Sequence, residues 1–281
     1  MATAPSKPTT PVQKESSSSS GAFASLVIPI CFVIAVLLFI FVLGDPSHYK
    51  GGDVEHGEPT DYFGTIHKGG PIVPVLMTCF LMMAVFSIER YVVINKAAGT
   101  GNVDAFVRKI NAFLNQGNID AASAECDKQK GSVANVIKSG LKKYREMEAE
   151  ENLDVDQKTL AIQKDIEEAT ALEMPMLEQN LTIIATLVSV GTLIGLLGTV
   201  VGMIGAFRAL ATSGAPNQAE LSSHISEALI NTALGILTSA CAIISYNVFT
   251  SKIDKLTYAI DETGFSIVQT FASSHKNKAR Y

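Results

Sequence analysis

Charge is scarce in this chain. Only 17% of its 281 residues are Asp, Glu, Lys or Arg, while 47% are hydrophobic. That balance excludes an ordinary soluble protein and points to membrane spans. Basic excess is missing too: the formal net charge is −5, and no nucleic-acid partner is expected. No GxxxxGK[ST] or GxGxxG stretch occurs, so no nucleotide cofactor is expected and any work is not driven by ATP held on this chain. Cys31, Cys79, Cys126 and Cys241 lack CxxC or zinc-like spacing and read as small core residues. No Ser/His/Asp or Cys/His set marks a catalytic centre, so no enzyme is expected. His48, His56 and His67 lie near acids but without metal-ligand spacing. Their stretch reads as a flexible exposed loop, with no metal and no other cofactor.

What is present is apolar length. Four runs, 22–43, 71–94, 181–207 and 225–249, each have about the 20 residues needed to cross a ~30 Å hydrocarbon core. The expectation is an all-α integral membrane protein. Run 22–43 lacks a small-x-small site before Gly44 and is too long for a signal peptide, so it reads as an uncleaved anchor. Residues 1–21, with five consecutive serines, read as a disordered arm. Loop 44–70 is net acidic, whereas 95–180 carries most of the Lys and Arg and 250–281 is net basic. Basic flanks stay in the cytoplasm. Both termini and 95–180 are therefore expected inside, and loops 44–70 and 208–224 outside.

The inside part has helical patterning. Phe106, Ile110, Phe113 and Leu114 share one face, and Val133, Val136, Ile137 and Leu141 another. "GNID" at 117–120 has the form of a turn and N-cap, and 146–156 reads as a solvated loop or helix end. From Asp156, Ile162, Ile166, Ala169 and Leu172 trace an apolar stripe towards the third span, with a kink expected at Pro175. Ile253, Leu256, Ile260 and Ile267 continue the fourth span as a long helix inside.

Spans three and four carry a pattern. Gly191, Gly195, Gly198, Gly202 and Gly205 are spaced 4, 3, 4, 3. A row of the smallest residue at period 3.5 lets another helix approach closely. Thr192, Thr199 and Ala206 run beside it. Ala228, Thr232, Gly235, Ser239 and Ala242 repeat the spacing on the fourth span, and Asn231, Thr238 and Ser245 form a second, partly polar row. Counting inward from Leu181 and Phe249 at 1.5 Å per residue puts Thr199 and Thr232 at one depth, about 26 Å along their helices. Glu227 lies further out, and an ionisable group in a span is a functional candidate. Apart from Glu227, these two spans hold no carboxylate. A gradient-driven device would need a second chain to bring one to mid-membrane.

On these residues the chain resembles the ExbB/TolQ/MotA proton-channel family. "LIGLLGTVVGMIGAF" (193–207), "ISEALINTALGILTSACAIISYNVF" (225–249) and "SIERYVVI" (87–94) resemble its signatures, and the likeness covers roughly 70–260. Two departures stand out: "VGT" at 190–192, where Ala-Pro is common, and the extra span 22–43 with its loop. The resemblance is closest to ExbB. It implies a homopentamer in the inner membrane, whose pore encloses two copies of a single-span ExbD/TolR-type partner bearing a membrane aspartate. It further implies proton-driven work on a TonB-like protein for nutrient uptake. Thr199 and Thr232 would face that aspartate and Glu227 would be the family's membrane glutamate. The glycine seam, with Gly235, would pack subunit against subunit. A TolQ-like role in envelope integrity, another envelope motor's stator, and a passive membrane scaffold are the alternatives. No inverted repeat or broken helix points to a solute transporter.

Overall fold

A computed structural model describes residues 18–54, 57–212 and 218–278. Most of the arm 1–21, His56 and the middle of loop 208–224 lie outside the described residues. Nine α-helices carry the described chain: α1 (Ser18–Leu37), α2 (Tyr62–His67), α3 (Val73–Ala98), α4 (Val103–Asn115), α5 (Ile119–Gln129), α6 (Gly131–Ala149), α7 (Val155–Glu178), α8 (Leu181–Thr212) and α9 (Gln218–Lys278). Among the described residues there is no strand, only an isolated bridge between Tyr49 and Pro59. Four helical stretches are long and apolar enough to cross a membrane. The fold is all-α, with one such helix ahead of the other three.

Local chemistry sets the helix starts. Asn102 accepts from the Ala105 amide, Asn118 from Ala121, and Asp154 from Gln157, whose side chain answers to the Asp154 amide. Each supplies an acceptor to amides that a helix start leaves without partners. Asn118 confirms the N-cap expected within 117–120, and the acidic stretch after α6 is a short loop ending in the Asp154 cap.

The spine is α9, whose 61 residues extend about 90 Å at 1.5 Å per residue. One half pairs with α8. The other runs into the bundle of α4–α7, where Ile253, Leu256, Ile260, Ile267 and Phe271 are buried with Ile110, Val136, Ile137, Leu141 and Ile162. The ring of Phe271 meets Tyr144 edge-on, with centroids 4.9 Å apart. The α7 stripe departs from expectation at Leu172, which is 82% exposed.

Pro175 does not break α7. The helix continues to Glu178, and the chain turns at Asn180, whose φ is +61°. Arg90 on α3 serves carbonyls that the end of the helix leaves without intrahelical donors. Its Nη1 donates to Met176 O at 3.1 Å and Leu177 O at 3.2 Å. A cation at a helix C-terminus also meets the negative end of the dipole. Glu89 neutralises the same guanidinium.

At the other end of the membrane helices, the stretch read as a flexible loop is folded onto α1. The Tyr49 ring is 3% exposed, and its hydroxyl meets His67 Nδ1 at 2.7 Å. The His67 ring packs on Phe39, centroids 4.5 Å apart. His48 Nδ1 lies 2.6 Å from Asp61 Oδ2, and the other Asp61 oxygen caps α2 through Gly64 N. His67 is thus held by aromatic neighbours and His48 by a carboxylate.

Candidate ion-path site

The site is built on the α8–α9 pair. A β-carbon on Gly191 would meet Ser239, one on Gly195 the Gly235 backbone, one on Gly198 the Asn231 side chain, one on Gly202 Ala228, and one on Gly205 the His224 ring. Each step along α8 is matched by a step of three or four residues back along α9. The helices are antiparallel and in register, and all five glycines of the row, with Gly235, are spent on contact within one chain. In that register Thr199 stands level with Asn231 and Thr232.

Both threonine hydroxyls are donated to backbone. Thr199 donates to Leu196 O at 2.6 Å. Thr232 is within 3.2 Å of both Ala228 O and, across the helix pair, Gly195 O. A hydroxyl has one proton and two acceptor lone pairs. With the proton held by a carbonyl, each oxygen can still accept, and a protonated carboxyl is the acid form able to donate to it. About two turns back along α8, Thr192 donates to Ser239 Oγ at 2.8 Å, a second hydroxyl contact that stitches the pair.

Glu227 sits one turn or so beyond Thr232, half-buried. His224 Nδ1 is 3.3 Å from its Oε2. Its Oε1 lies so close to Gly70 that any side chain there would collide with it. Next to Gly70, the Gly69 carbonyl accepts from Asn231 Nδ2 at 2.9 Å. The start of α3 is thus held against the Glu227–Asn231 turn of α9 by one glycine pair. Asn231 is fully buried, and its Oδ1 has no partner.

Thr199, Thr232 and Glu227 therefore share one end of the α8–α9 pair, joined by Asn231. Sequence reasoning placed Asn231 only in a polar row. Its signal was that an amide so deep in an apolar run needs partners; that the partner lies on α3 was not legible. The other members of that row behave differently: Thr238 donates to Leu234 O on its own helix. Leu193, Leu196, Leu197, Val200, Phe207, Leu229, Ile236 and Ile244 on the same two helices are more than half exposed. A surface so apolar needs lipid or protein cover.

A sequence model of the MotA/TolQ/ExbB proton channel family matches residues 128–262, which contain α6 to the middle of α9 and hence every residue of this site. That stretch, just under half of the chain, is similar to this family. Among its curated relatives is the Tol-Pal system protein TolQ of Pseudomonas aeruginosa, 27% identical over 154 residues, 55% of this chain and 67% of that protein. The putative biopolymer transport protein ExbB-like 3 of Synechocystis is 35% identical over 88 residues, 31% of this chain and 42% of that protein. The biopolymer transport protein ExbB of Xanthomonas campestris is 29% identical over 102 residues, 36% and 40% of the two chains. The match thus spans less than half the length of the last two. This likeness and the four apolar helices are those of a multi-pass membrane protein.

Proposed function

We propose that the protein is an ExbB-like subunit of an inner-membrane proton channel, which with an ExbD-like partner converts proton motive force into mechanical work on a TonB-like protein. The observation that carries this reading is the shared level of Thr199 and Thr232 on the α8–α9 pair. Their oxygens retain acceptor capacity, while the only carboxylate of the two spans, Glu227, lies beyond them. A single-span partner bearing a membrane aspartate supplies what is missing. Protonated, that aspartate donates to the threonine level; ionised, it is repelled by the apolar wall.

In this reading five copies surround two partner helices. The glycine row holds each α8–α9 pair as a rigid stave, and the apolar faces meet neighbouring subunits and lipid. Five staves cannot match two partner helices at once, which favours stepping. A charge crossing the membrane releases about 2.3 kcal/mol per 100 mV. Interhelical hydrogen bonds of about 1 kcal/mol each are of the same size, so one proton suffices for one step. Both termini and the α4–α7 bundle lie in the cytoplasm, and the 44–70 fold lies outside. The subunit carries no catalytic step of its own.

A TolQ-like role in envelope integrity is the second reading, supported by the likeness to the Pseudomonas aeruginosa protein over 154 residues. Expression with the cognate partner, in a strain lacking its own TonB-energising channel subunit, tests both. TonB-dependent uptake restored by the wild type and lost in Thr199→Val/Thr232→Val, with the oligomer intact, is the expected result. Full uptake in the double variant would sink the channel role. Restored detergent resistance in a strain lacking the Tol channel subunit, without restored uptake, would select the second reading.

A further inference from the structure

Where α3 ends, α6 begins and α7 closes, the fold leaves a cavity of about 670 Å³. Two of its lining groups are already satisfied. Glu89 is paired with Arg90, which also caps α7, and Glu89 Oε2 takes Asn180 Nδ2 at 3.4 Å. That pair forms a neutral wall. Glu173, also on the lining, accepts from Asn135 Nδ2 at 3.2 Å. Against this one remaining carboxylate stand Lys96 and Lys130, neither of them in an ion pair among the described residues.

The donors on the α6 side have no protein acceptor. Lys130 occupies the N-cap position with φ +59°, and no side chain caps the first amides of α6. Ser132, on that first turn, lines the cavity, is only 3% exposed, and its hydroxyl makes no hydrogen bond among the described residues. That hydroxyl is left to the cavity rather than to a protein acceptor. A hydroxyl, free amides at the positive end of a helix and two unpaired ammonium groups are together a donor set for an oxyanion.

Position narrows the ligand. The cavity opens beside Val93 and Ala97, at the end of the α3 apolar run, and beside Met176 and Gln179, just before α8 enters its own. That is the level of lipid headgroups on the side of the α4–α7 bundle. We propose that this cavity binds a phosphate-bearing anion, with Ser132, the first α6 amides, Lys96 and Lys130 as its donors. A phosphodiester headgroup reaches it from the bilayer and a free phosphate from water; the donors recognise the same oxygens in both. The site lies away from the threonine level and does not depend on the channel reading.

Native mass spectrometry of the detergent-purified full chain tests this. Phosphatidylglycerol and phosphatidylcholine are titrated separately, each with and without inorganic phosphate. Wild type should hold one phosphatidylglycerol per chain about tenfold more tightly than phosphatidylcholine. Lys96→Gln/Lys130→Gln should remove that preference, and Ser132→Ala should weaken it about threefold to tenfold, the size of one ordinary hydrogen bond. Ser132→Ala removes a single oxygen and should fold as wild type. Lys142→Gln/Lys143→Gln, further along α6, should be silent. Displacement by millimolar phosphate identifies the free anion as the occupant, and resistance to it identifies the lipid; either supports the site. Equal retention of the two lipids without phosphate competition would overturn it. So would folded Ser132→Ala and Lys96→Gln/Lys130→Gln variants that hold phosphatidylglycerol like the wild type, or an equal loss in the Lys142/Lys143 variant.

Discussion

Gly195 of α8 and Gly235 of α9 touch backbone to backbone. A β-carbon on Gly195 would stand 3.1 Å from the Gly235 Cα, and one on Gly235 would stand 2.8 Å from the Gly195 Cα and 2.6 Å from Gly191 O. Main chain cannot swing aside as a side chain can. The crossing of the two helices therefore fixes how far apart Thr199 and Thr232 lie.

Gly235→Ala should for that reason destabilise the helix pair, by the roughly 1–3 kcal/mol typical of overpacking. Unfolding by detergent titration measures it. The same substitution at Gly117, where nothing lies within 4 Å of the new β-carbon, should report only the strain of its positive φ and leave the α8–α9 pair intact.

Arg90 is 1% exposed and joins α3 to the end of α7. Arg90→Leu should cost about 3 kcal/mol, since it strands both Glu89 and two helix-end carbonyls. Arg90→Lys should recover little, because an ammonium cannot reproduce the planar fork that serves Glu89 and the carbonyls together. Melting temperature and protease cleavage near Asn180 check both.

The fold around Tyr49 should loosen in mild acid. Burial, with Lys68 beside it, holds the His67 imidazole below its usual value. The unfolded loop then binds a proton more readily than the folded one, so stability is whole above about pH 6.5 and falls as pH drops towards the lower folded value. Amide exchange at Gly64 and Lys68, measured from pH 7.5 to 5, should speed relative to its intrinsic rate, and His67→Phe should flatten that trend.

Cys126 should be inert. Burial, with Asp127 next to it, pushes its thiol up to about 12, and the thiolate is the reactive form. Iodoacetamide at pH 8 should leave it unlabelled in the folded protein and label it readily after denaturation, read by peptide mass spectrometry.

The shared level of Thr199 and Thr232 was legible from spacing alone. Helical rise converts residue counts into depth, so Thr199 and Thr232 align before any contact is known. The packing partner of the glycines was not. Leu193, Leu197 and Val200 are as apolar as the residues that face protein, and a helix that is apolar all round gives no direction to its contacts. The stretch 44–70 was misjudged as flexible because its histidines lie among acids in sequence, whereas Tyr49 and His67 are paired in space across 18 positions. The closure of α7 was not legible either, because Arg90, which serves its last carbonyls, lies 86 positions from Met176.

Composition and periodicity by themselves determined four apolar helices, the N-cap within 117–120, the close-contact rows on the third and fourth spans, and the lack of any carboxylate but Glu227 on those spans. All of these are properties of windows about 20 residues long. The tertiary structure alone decided that the glycine row is met by α9 of the same chain, that Gly69 and Gly70 bring α3 against Asn231 and Glu227, and that Arg90 closes α7. Those contacts join segments far apart in the chain, and their energies exist only once the helices have chosen their neighbours.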